Sequence, residues 1–543
     1  MDICLIFEVH QPLRLNRNFH SDLLDRPLVG KEDLFDAYFD YDLNRHVFER
    51  AARKCYFPAN NAILEQIDRT KHSQKRFRVA YGLSGVFVEQ CERWNPGLLD
   101  SFRQLADTGC VEFLAETYYH SLASLYDAER HEFVEQLNLH RELMKERLGY
   151  EPKVVANTEC IYNNAIARTV EALGYQAMIT EGVERILDCR SPNYVFKARN
   201  SNLKVLLRNY CLSDDIGFRF TSRWWEEWPL TAAKYASWLA ATPGQVINIF
   251  LDYETFGEHH WPESGIHEFL RWLPSEILKW EHVQFCTPSE ALLRHNPIGE
   301  IDVPEFSTIS WADLERDTTA WTDNSMQMAC YDLLKKLEPL VKLTDDAELL
   351  RLWRHLQVSD HLYYLSTKGG GPGDVHNYFN PFGMPIEAFA AYCGILSNFE
   401  AAVLRELEKP KHVARRILRR LPAKKGFTFY YRFSKPTKWI AHSLEEFYSI
   451  LKSVNLKSIR FHATRGDFEK WIRCVIGDNK LADQLAEVTE RKMPQDKIRD
   501  RIRSLVGQRI KELERTSKTS KWDGKNIGPE TQNLTSKTDL VRP

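Results

Sequence analysis

The chain of 543 residues has almost no excess of charge of either sign. Its 73 lysine and arginine residues nearly balance 75 aspartate and glutamate residues, which leaves a formal net charge of −2. Proteins that bind nucleic acids or anionic membranes through electrostatics carry a basic excess or a basic cluster. The charge balance therefore gives no indication of a nucleic-acid or membrane partner.

Long apolar runs and paired cysteines are missing as well. No apolar run is long enough to span a bilayer. Residues 1–9 carry no basic leader, and their apolar part is too short for a signal peptide, so we interpret them as the first strand. The eleven cysteines are scattered without a CxxC pair, which is typical of reduced thiols in a cytosolic protein. We therefore predict a cytoplasmic location, and the oligomeric state stays open.

Internal repeats and a phosphate-binding loop are also missing. The glycines of segment 368–374 are not followed by the Gly-Lys-Ser/Thr of a phosphate loop, so we interpret this segment as a surface loop. The length of the chain predicts two to four domains. A hydrophobic share of 43% and an aromatic share of 12% suit a globular protein with a sizeable core.

Hydrophobic runs alternate with helical patterns over about the first 295 residues. Eight runs rich in Val, Ile and Leu lack clear polar alternation, which is typical of strands buried on both faces. They lie at residues 4–9, 78–82, 111–115, 153–157, 176–180, 203–208, 246–251 and 283–286. Repeated strand–helix units predict an α/β fold with a parallel sheet, closed or nearly closed into a barrel, and an open doubly wound sheet is the alternative. A helix is predicted from Asn164, as N-cap, to a stop at Gly174.

The pattern changes after residue 295. Residues 296–410 have helical apolar spacing at 345–356 and 385–407, which predicts a helical domain. The basic stretch 409–425 is interpreted as a linker, and residues 411–490 as a small accessory module with some core of its own. Residues 491–543 predict a charged helix followed by a polar, disordered tail from Thr516.

Polar residues follow most of the predicted strands, at the ends that converge in a barrel. They are His10, Gln11, Ser84, Glu89, Gln90, Glu116, His120, Glu159, Glu181, Ser213, Asp214, Asp215 and Asp252. Glu159 and Asp252 are the most informative, because each comes just after a strongly hydrophobic run. Two carboxylates suffice to cleave a glycosidic bond, one as acid and the other as nucleophile or base. The sequence therefore predicts paired-carboxylate chemistry on a sugar.

Three alternatives stay open at this point. Glu254 rivals Asp252 as the acid, because a continuing strand would place both on one face. A metal site is the second alternative. Its candidate ligands are His10, Asp252, His259, His260 and Asp360. Their spacing fits no HExxH or cysteine-based zinc motif, so we predict no metal and no cofactor. The third alternative is a non-catalytic sugar-binding protein, against which the intact acid pair argues.

Five short regions resemble glycoside hydrolase family 57, close to its α-amylase-type members. They are His10-Gln11-Pro12, Gly82-Leu83-Ser84-Gly85-Val86, Asn157-Thr158-Glu159-Cys160, Asp252-Tyr253-Glu254-Thr255-Phe256-Gly257-Glu258-His259 and Trp311-Ala312-Asp313-Leu314-Glu315-Arg316-Asp317. The regions follow the family's order within roughly residues 1–400. Residues 426–490 are similar to a small uncharacterised module that is sometimes attached to such enzymes.

The resemblance implies a retaining mechanism on α-glucans, in an incomplete (β/α)7 barrel with the helical domain over its mouth. It implies that Glu159 is the nucleophile and Asp252 the general acid/base. Members of this family hydrolyse, transfer or branch glucans, and all three activities share a glycosyl-enzyme intermediate. The sequence favours hydrolysis and leaves glucan transfer and branching open.

Six further residues are predicted to bind the sugar. They are His10, Glu116, His259, Trp311, Trp321 and Asp360. The histidines and acids would hydrogen-bond sugar hydroxyls, and the two tryptophans would stack on sugar rings. The alternatives are a histidine satisfied by backbone groups, an acid at a helix start and tryptophans that belong to the core.

Overall fold

The computed structural model describes residues 1–25, 30–368, 380–490 and 494–518. The chain divides into two compact units, Met1–Val403 and Leu404–Pro543. The predicted glycine-rich loop, apart from its first residue, lies outside the described residues, and so does the predicted tail from residue 519 onward. The first three residues of that predicted tail, Thr516 to Lys518, instead end the helix Gln495–Lys518. Within the described ranges, no helix has the length and apolarity that crossing a bilayer requires.

The first unit contains one sheet of ten strands, counted over the described residues. The strands are β1 Asp2–Val9, β2 Val79–Leu83, β3 Val111–Leu114, β4 Val154–Ala156, β5 Ala177–Glu181, β6 Phe196–Ala198, β7 Lys204–Arg208, β8 Val246–Asp252, β9 Gln284–Phe285 and β10 Glu300–Ile301. All eight predicted strands are present, within two residues of the predicted ends. β6 and β10 are additional short strands that the sequence pattern did not indicate.

Most of the strand pairs are parallel, which confirms the predicted mixed α/β fold. β1 pairs with β2, β8 and β9, β2 with β3, β4 with β5, β5 with β7, and β7 with β8. Ala115, directly after β3, forms a parallel bridge to Val155 in β4. β6 is antiparallel to β7 and parallel to β10. The parallel pairs therefore lead from β1 through β2, β3, β4, β5, β7 and β8 back to β1.

Helices connect these strands and form most of the remaining structure. In the first unit and at its boundary they are Phe19–Asp25, Leu34–Tyr38, Tyr41–Ala51, Phe57–Thr70, Gly85–Trp94, Pro96–Asp107, His131–Leu148, Asn164–Ala172, Glu184–Leu187, Tyr210–Gly217, Ala232–Ala241, Ile266–Leu278, Pro288–Arg294, Thr319–Thr322, Ser325–Thr344, Ala347–His355, Ser359–Tyr363 and Pro385–Leu407. The last two predicted helices, at 345–356 and 385–407, correspond to Ala347–His355 and Pro385–Leu407.

The start of the helix Asn164–Ala172 corrects one prediction. The N-cap is Asn163, whose side chain accepts hydrogen bonds from the backbone N–H groups of Ala165 and Ile166. Asn164 is the first helical residue, and its side chain binds Asp302 instead. Two adjacent asparagines both suit an N-cap position, and only the chain direction into the helix decides between them.

Side chains of β1 alternate between two apolar clusters, as the two-residue period of a strand requires. Cys4 and Ile6 pack with Phe250 of β8 in the smaller cluster. The odd-numbered residues from 3 to 9 pack in the larger cluster, together with helical residues. Glu8 and Asp252 have the same parity as Ile6 and Phe250, and they are register partners at the strand ends. The two acids therefore continue the face of the smaller cluster.

The second unit has its own core. Its strands are β11 Phe427–Arg432 and β12 Lys435–Ala441, which pair antiparallel. Its helices are Pro410–Leu418, Leu444–Ile450, Leu456–Ala463, Asp467–Trp471, Asn479–Glu490 and Gln495–Lys518. Phe447 is fully buried at the centre of this core, with ring contacts to Phe427, Phe429 and Trp471.

Because this core is self-contained, a fragment of residues 408–518 is expected to fold without the first unit. Urea denaturation followed by circular dichroism should show one cooperative transition. Phe447→Ala should lower the free energy of unfolding by about 3–5 kcal/mol, since it removes a buried aromatic ring. Phe433→Ala is the control, because Phe433 is 72% exposed. A fragment without cooperative unfolding, or equal effects of both variants, would contradict an independent core.

Candidate active site

The carboxylate of Glu159 is buried and is held by side chains from distant parts of the chain. Trp311 donates its indole N–H to Oε2 at 2.7 Å, and Ser359 donates its hydroxyl to Oε1 at 2.9 Å. The His120 Nε2 atom lies 3.6 Å from Oε1. Both oxygens therefore have a fixed donor, which defines the orientation of the carboxylate. Donation to the ionised form also favours a charged carboxylate.

The backbone at Glu159 adopts a conformation that non-glycine residues rarely use. The residue lies in the 3₁₀ turn Thr158–Cys160 after β4, with φ 59° and ψ 23°. The next residue, Cys160, also has a positive φ of 54°. Left-handed backbone at non-glycine residues costs roughly 1–2 kcal/mol per residue. The surrounding structure compensates this strain, and the turn directs the Glu159 side chain toward Trp311 and Ser359.

Asp252 is the last residue of β8 and is only partly buried. Its register partner Glu8 ends the same face of β1, and Gly82 of β2 is the register partner of Glu8 on the other side. A Cβ atom at Gly82 would lie 2.7 Å from Glu8 Oε2 and 3.3 Å from Glu116 Oε1. Glycine at this position therefore makes room for two carboxylates above β2.

Glu8, Glu116 and His120 form a buried cluster beside Glu159. His120 Nδ1 lies 3.2 Å from Glu116 Oε2 and 3.5 Å from Glu8 Oε1. Burial and the neighbouring Glu116 raise the pKa of the Glu8 carboxyl well above its usual range. Burial lowers the pKa of His120, but contacts with Glu116, Glu159 and Glu8 outweigh this effect and raise the pKa well above its usual range.

His10 and Asp360 meet at the same place. His10 stacks on His120 with 4.0 Å between ring centroids, and its Nε2 atom lies 3.3 Å from Asp360 Oδ2. Its Nδ1 atom lies 2.7 Å from the hydroxyl of Ser84. Burial, reinforced by the charge on His120, lowers the pKa of His10 to about 4. The structure therefore places His10, Glu116 and Asp360 around His120, whose Nε2 atom faces Glu159.

Glu254 does not continue β8, so the argument for a same-face rival does not apply. A 3₁₀ turn, Tyr253–Thr255, follows Asp252 directly. The Glu254 carboxylate accepts a hydrogen bond from the buried Tyr56 hydroxyl, which in turn accepts one from Gln11 at 3.0 Å. Burial and the nearby Asp252 charge raise the pKa of Glu254 to about 8. Glu254 is therefore fixed by its own partners.

The remaining predicted residues are placed differently. Trp311 is half-buried and contacts Glu159, whereas Trp321 is fully buried and packs against Tyr363. The burial of Trp321 favours core packing. His260 contacts the carbonyl of Ile216 at 2.9 Å. His259 is partly buried, and its backbone N–H binds the carbonyl oxygen of Glu254 at 2.9 Å.

Sequence reasoning missed two contributors to this site. Glu8 lies inside the first predicted strand and was not singled out, although it shares the parity of Cys4, Ile6 and His10. Ser359 lies 200 residues after Glu159 in the chain, and no local pattern connects the two. Strand parity could have indicated Glu8, and no sequence signal indicated the role of Ser359.

A second group of charged side chains lies next to Trp311. Arg208 of β7 binds Glu181 at 2.9 Å and Asp214 at 2.6 Å, and its guanidinium lies 5.6 Å from the Trp311 ring centroid. Arg316 approaches the same two acids. Two acids that the sequence singled out, Glu181 at the end of β5 and Asp214 in the helix Tyr210–Gly217, are thus paired with arginines.

Carboxylates at strand ends, one of them bonded to a half-buried tryptophan, are the kind of groups that cleavage of a glycosidic bond uses. The chain belongs to glycosyl hydrolase family 57, whose family model matches residues 4–304. It is 49% identical over 417 residues to a protein of Methanocaldococcus jannaschii named "Putative alpha-amylase", covering 75% of this chain and 86% of the relative. A family of unknown function, DUF5752, matches residues 394–507. The predicted family and the small C-terminal module are confirmed, and the chain is an enzyme of the glycoside hydrolase class.

More distant relatives agree. An alpha-amylase of Pyrococcus furiosus is 29% identical over 136 residues, 25% of this chain and 19% of the relative. Two solved structures share the fold at 15% identity and a TM-score of 0.52. One is a branching enzyme of Thermococcus kodakaraensis, covering 75% of this chain and 91% of that one. The other is a 4-alpha-glucanotransferase of Thermococcus litoralis, covering 79% and 61%.

The raised pKa of Glu254 predicts a pH-dependent effect on stability. The group is protonated in the folded protein up to about pH 8, whereas an unfolded glutamate ionises near about 4.3. The folded state holds the extra proton between these values, so the contribution of Glu254 to the free energy of unfolding falls as pH rises. Glu254→Gln should therefore gain stability relative to wild type from pH 5 to pH 8, by at most about 1.4 kcal/mol per pH unit.

Urea denaturation at three pH values in this range measures the difference. Glu263→Gln is the control, because Glu263 is exposed on the same segment of chain. A stability difference between Glu254→Gln and wild type that does not change with pH would contradict a protonated Glu254.

Proposed function

We propose that this protein is a retaining glycoside hydrolase that cleaves α-1,4-glucosidic bonds, with Glu159 as nucleophile and Asp252 as general acid/base. The observation that carries the proposal is the fixed carboxylate of Glu159, both of whose oxygens accept hydrogen bonds. Membership of family 57 and the alpha-amylase names of its relatives supply the substrate class.

We also propose the architecture that places the substrate. The seven strands whose pairing returns to β1 are the incomplete (β/α)7 barrel of the fold, and residues 296–410 are the helical domain over its cleft. Trp311, Ser359 and Asp360 belong to that segment and contact side chains at the strand ends. In this proposal the helical segment completes the site.

In the first step, Glu159 attacks the anomeric carbon while Asp252 protonates the departing glycosidic oxygen. The result is a glycosyl-enzyme ester on Glu159 and a shortened glucan with a free hydroxyl. Donation from Trp311 and Ser359 orients the Glu159 carboxylate before the attack. Partial exposure of Asp252 gives its carboxyl group access to the leaving oxygen.

In the second step, Asp252 acts as a base and takes a proton from the incoming water. The water oxygen attacks the anomeric carbon, the ester bond breaks and Glu159 leaves as a carboxylate. Two inversions retain the α configuration. Donors from Trp311 and Ser359 stabilise the returning negative charge on Glu159. This step distinguishes hydrolysis from transfer, in which a sugar hydroxyl replaces the water.

The sugar is held by polar groups that face the nucleophile. We propose that His10, Glu116 and Asp360 hydrogen-bond hydroxyls of the sugar bound at the cleavage point, directly or through one another. His259 and Trp321 were predicted to contact sugar as well. Trp321 is fully buried, so any contribution from it would be to support the fold of the helical segment. The half-buried Trp311 combines an exposed ring portion with donation to Glu159.

Digestion of maltoheptaose tests the function. Wild type is expected to release only malto-oligosaccharides shorter than the substrate. Chromatography of samples taken over time measures the products. Glu159→Gln should lose catalysis while keeping its fold, because an amide is a very poor nucleophile. Products longer than the substrate would show that the protein transfers glucan instead of hydrolysing it. A Glu159→Gln variant with a near wild-type rate would show that Glu159 is not the nucleophile.

Asp252→Asn tests the role of the proton donor separately from that of the nucleophile. General acid assistance contributes roughly 10²–10⁴-fold, so cleavage of maltoheptaose should fall by that amount. An aryl glucoside with an activated leaving group needs less protonation, and its glycosylation step should fall less. Equal losses with both substrates would show that Asp252 is not the proton donor.

Trp311→Phe tests whether the indole N–H matters. The variant keeps an aromatic ring but loses the hydrogen bond to Glu159, a charged acceptor for which such a bond is worth about 1.5–3 kcal/mol. We expect kcat to fall roughly 10- to 100-fold with a smaller change in KM. Trp272→Phe is the control, since Trp272 is 51% exposed. A change in KM alone would restrict Trp311 to sugar stacking.

A further inference from the structure

The Glu8, Glu116 and His120 cluster has a property that the catalytic proposal leaves unexplained. Three potential ligand atoms from these side chains lie within 4.8 Å of one another, and all three residues are buried. Glu8 comes from β1, whereas Glu116 and His120 come from the segment after β3. None of the three was among the metal ligands considered from the sequence. His10, which stacks on His120, was one of those candidates.

Within the part of the chain that the structure describes, two carboxylate oxygens in the cluster accept no hydrogen bond from an N–H or hydroxyl group. They are Glu8 Oε1 and Glu116 Oε1, on side chains that are 5% and 0% exposed. A buried oxygen that accepts no hydrogen bond is costly, and a buried charge more so unless it is paired or coordinates a metal. His120 provides at most one positive charge, and it is shared among Glu8, Glu116 and Glu159. With its acids ionised, the cluster therefore carries an excess of negative charge that a cation would neutralise.

The distances suit a metal. Ligands about 2.1 Å from a tetrahedral zinc ion lie about 3.4 Å from each other. In the cluster, His120 Nδ1 lies 3.2 Å from Glu116 Oε2 and 3.5 Å from Glu8 Oε1. One imidazole nitrogen with two carboxylates is a donor set for zinc or manganese, whereas calcium and magnesium take oxygen ligands.

We propose that Glu8, Glu116 and His120 bind one divalent transition-metal ion, of which zinc is the first choice, behind the nucleophile Glu159. His120 ligates through Nδ1 in its neutral form. Its Nε2 atom then carries the proton and faces Glu159 Oε1, 3.6 Å away. The ion fixes the histidine tautomer and neutralises the two acids, so its role is to position groups around Glu159. Metal-ligating histidines commonly direct their other N–H at a carboxylate in this way.

The competing occupant of the cluster is a proton. In that state the carboxyl of Glu8 is protonated and hydrogen-bonds to Glu116, and His120 stays charged. No cation would then bind. Metal binding and its dependence on the three side chains distinguish these two states. Neither measurement uses a glucan, so the outcome is independent of the proposed hydrolase activity.

The full-length protein is treated with a chelator, dialysed and titrated with Zn²⁺ in a calorimeter, with Ca²⁺ as the comparison. We expect a Zn²⁺ site of one-to-one stoichiometry that Glu116→Gln and Glu8→Gln each weaken at least tenfold. Glu129→Gln should leave it unchanged. This control lies in the other acidic and histidine group of the described residues, formed by Asp127, Glu129 and His131 at the surface.

Zn²⁺ binding that is absent from wild type, or that is equal in wild type, Glu8→Gln and Glu116→Gln, would overturn the proposal. Anomalous diffraction from zinc-soaked wild-type crystals decides the matter even if a variant fails to fold. A peak within bonding distance of Glu8, Glu116 and His120 supports the site. Peaks confined to surface residues, including the exposed Cys189, Cys211 and Cys474, would also overturn it.

Discussion

The position of one buried carboxylate, that of Glu159, governs the rest of the site. The residue sits in a strained turn after β4, and groups far away in sequence hold its two oxygens. A buried charge is stable only when hydrogen bonds and opposite charges replace its water. Trp311, Ser359 and His120 provide that replacement. The segment after residue 295 therefore contributes two of the groups that hold the Glu159 carboxylate.

The second constraint is the crowding of acids at one face of the sheet. Glu8, Glu116, Glu159 and Asp252 all lie at or just beyond strand ends, and the register brings Glu8 beside Asp252. Like charges at short distance disfavour simultaneous ionisation. The positively charged partners are His120, which lies among these acids, and the arginines that pair with Glu181 and Asp214. The pKa values of Glu8 and Glu254 are raised. This distribution leaves the Glu159 carboxylate with dedicated donors.

Much of this arrangement could be predicted from the sequence, for physical reasons that differ from residue to residue. The eight strands of the α/β domain were recognised because strands buried on both faces consist of apolar runs. The short strands β6 and β10 were not, since Lys197 and Glu300 interrupt their apolar character. Glu159 and Asp252 were singled out because each comes just after a strongly hydrophobic run.

Contacts over long sequence distances account for what was missed. The bond from Trp311 to Glu159 spans 152 residues and that from Ser359 spans 200. Local periodicity carries no information about such pairs. Trp311 was predicted as a surface for sugar stacking, and its bond to Glu159 adds a function that composition and spacing do not encode. Glu8 was hidden inside an apolar strand, although its parity with His10 places both on one face.

Trapping the covalent intermediate tests the central claim most directly. The wild-type protein is incubated with a mechanism-based fluoroglucoside, digested with a protease and examined by peptide mass spectrometry. A single fluoroglucosyl adduct is expected on the peptide that contains Glu159, with fragment ions that assign it to that residue. A label on Asp252 or Glu254 would contradict the assignment. Turnover of glucans without any covalent label would contradict the double-displacement mechanism itself.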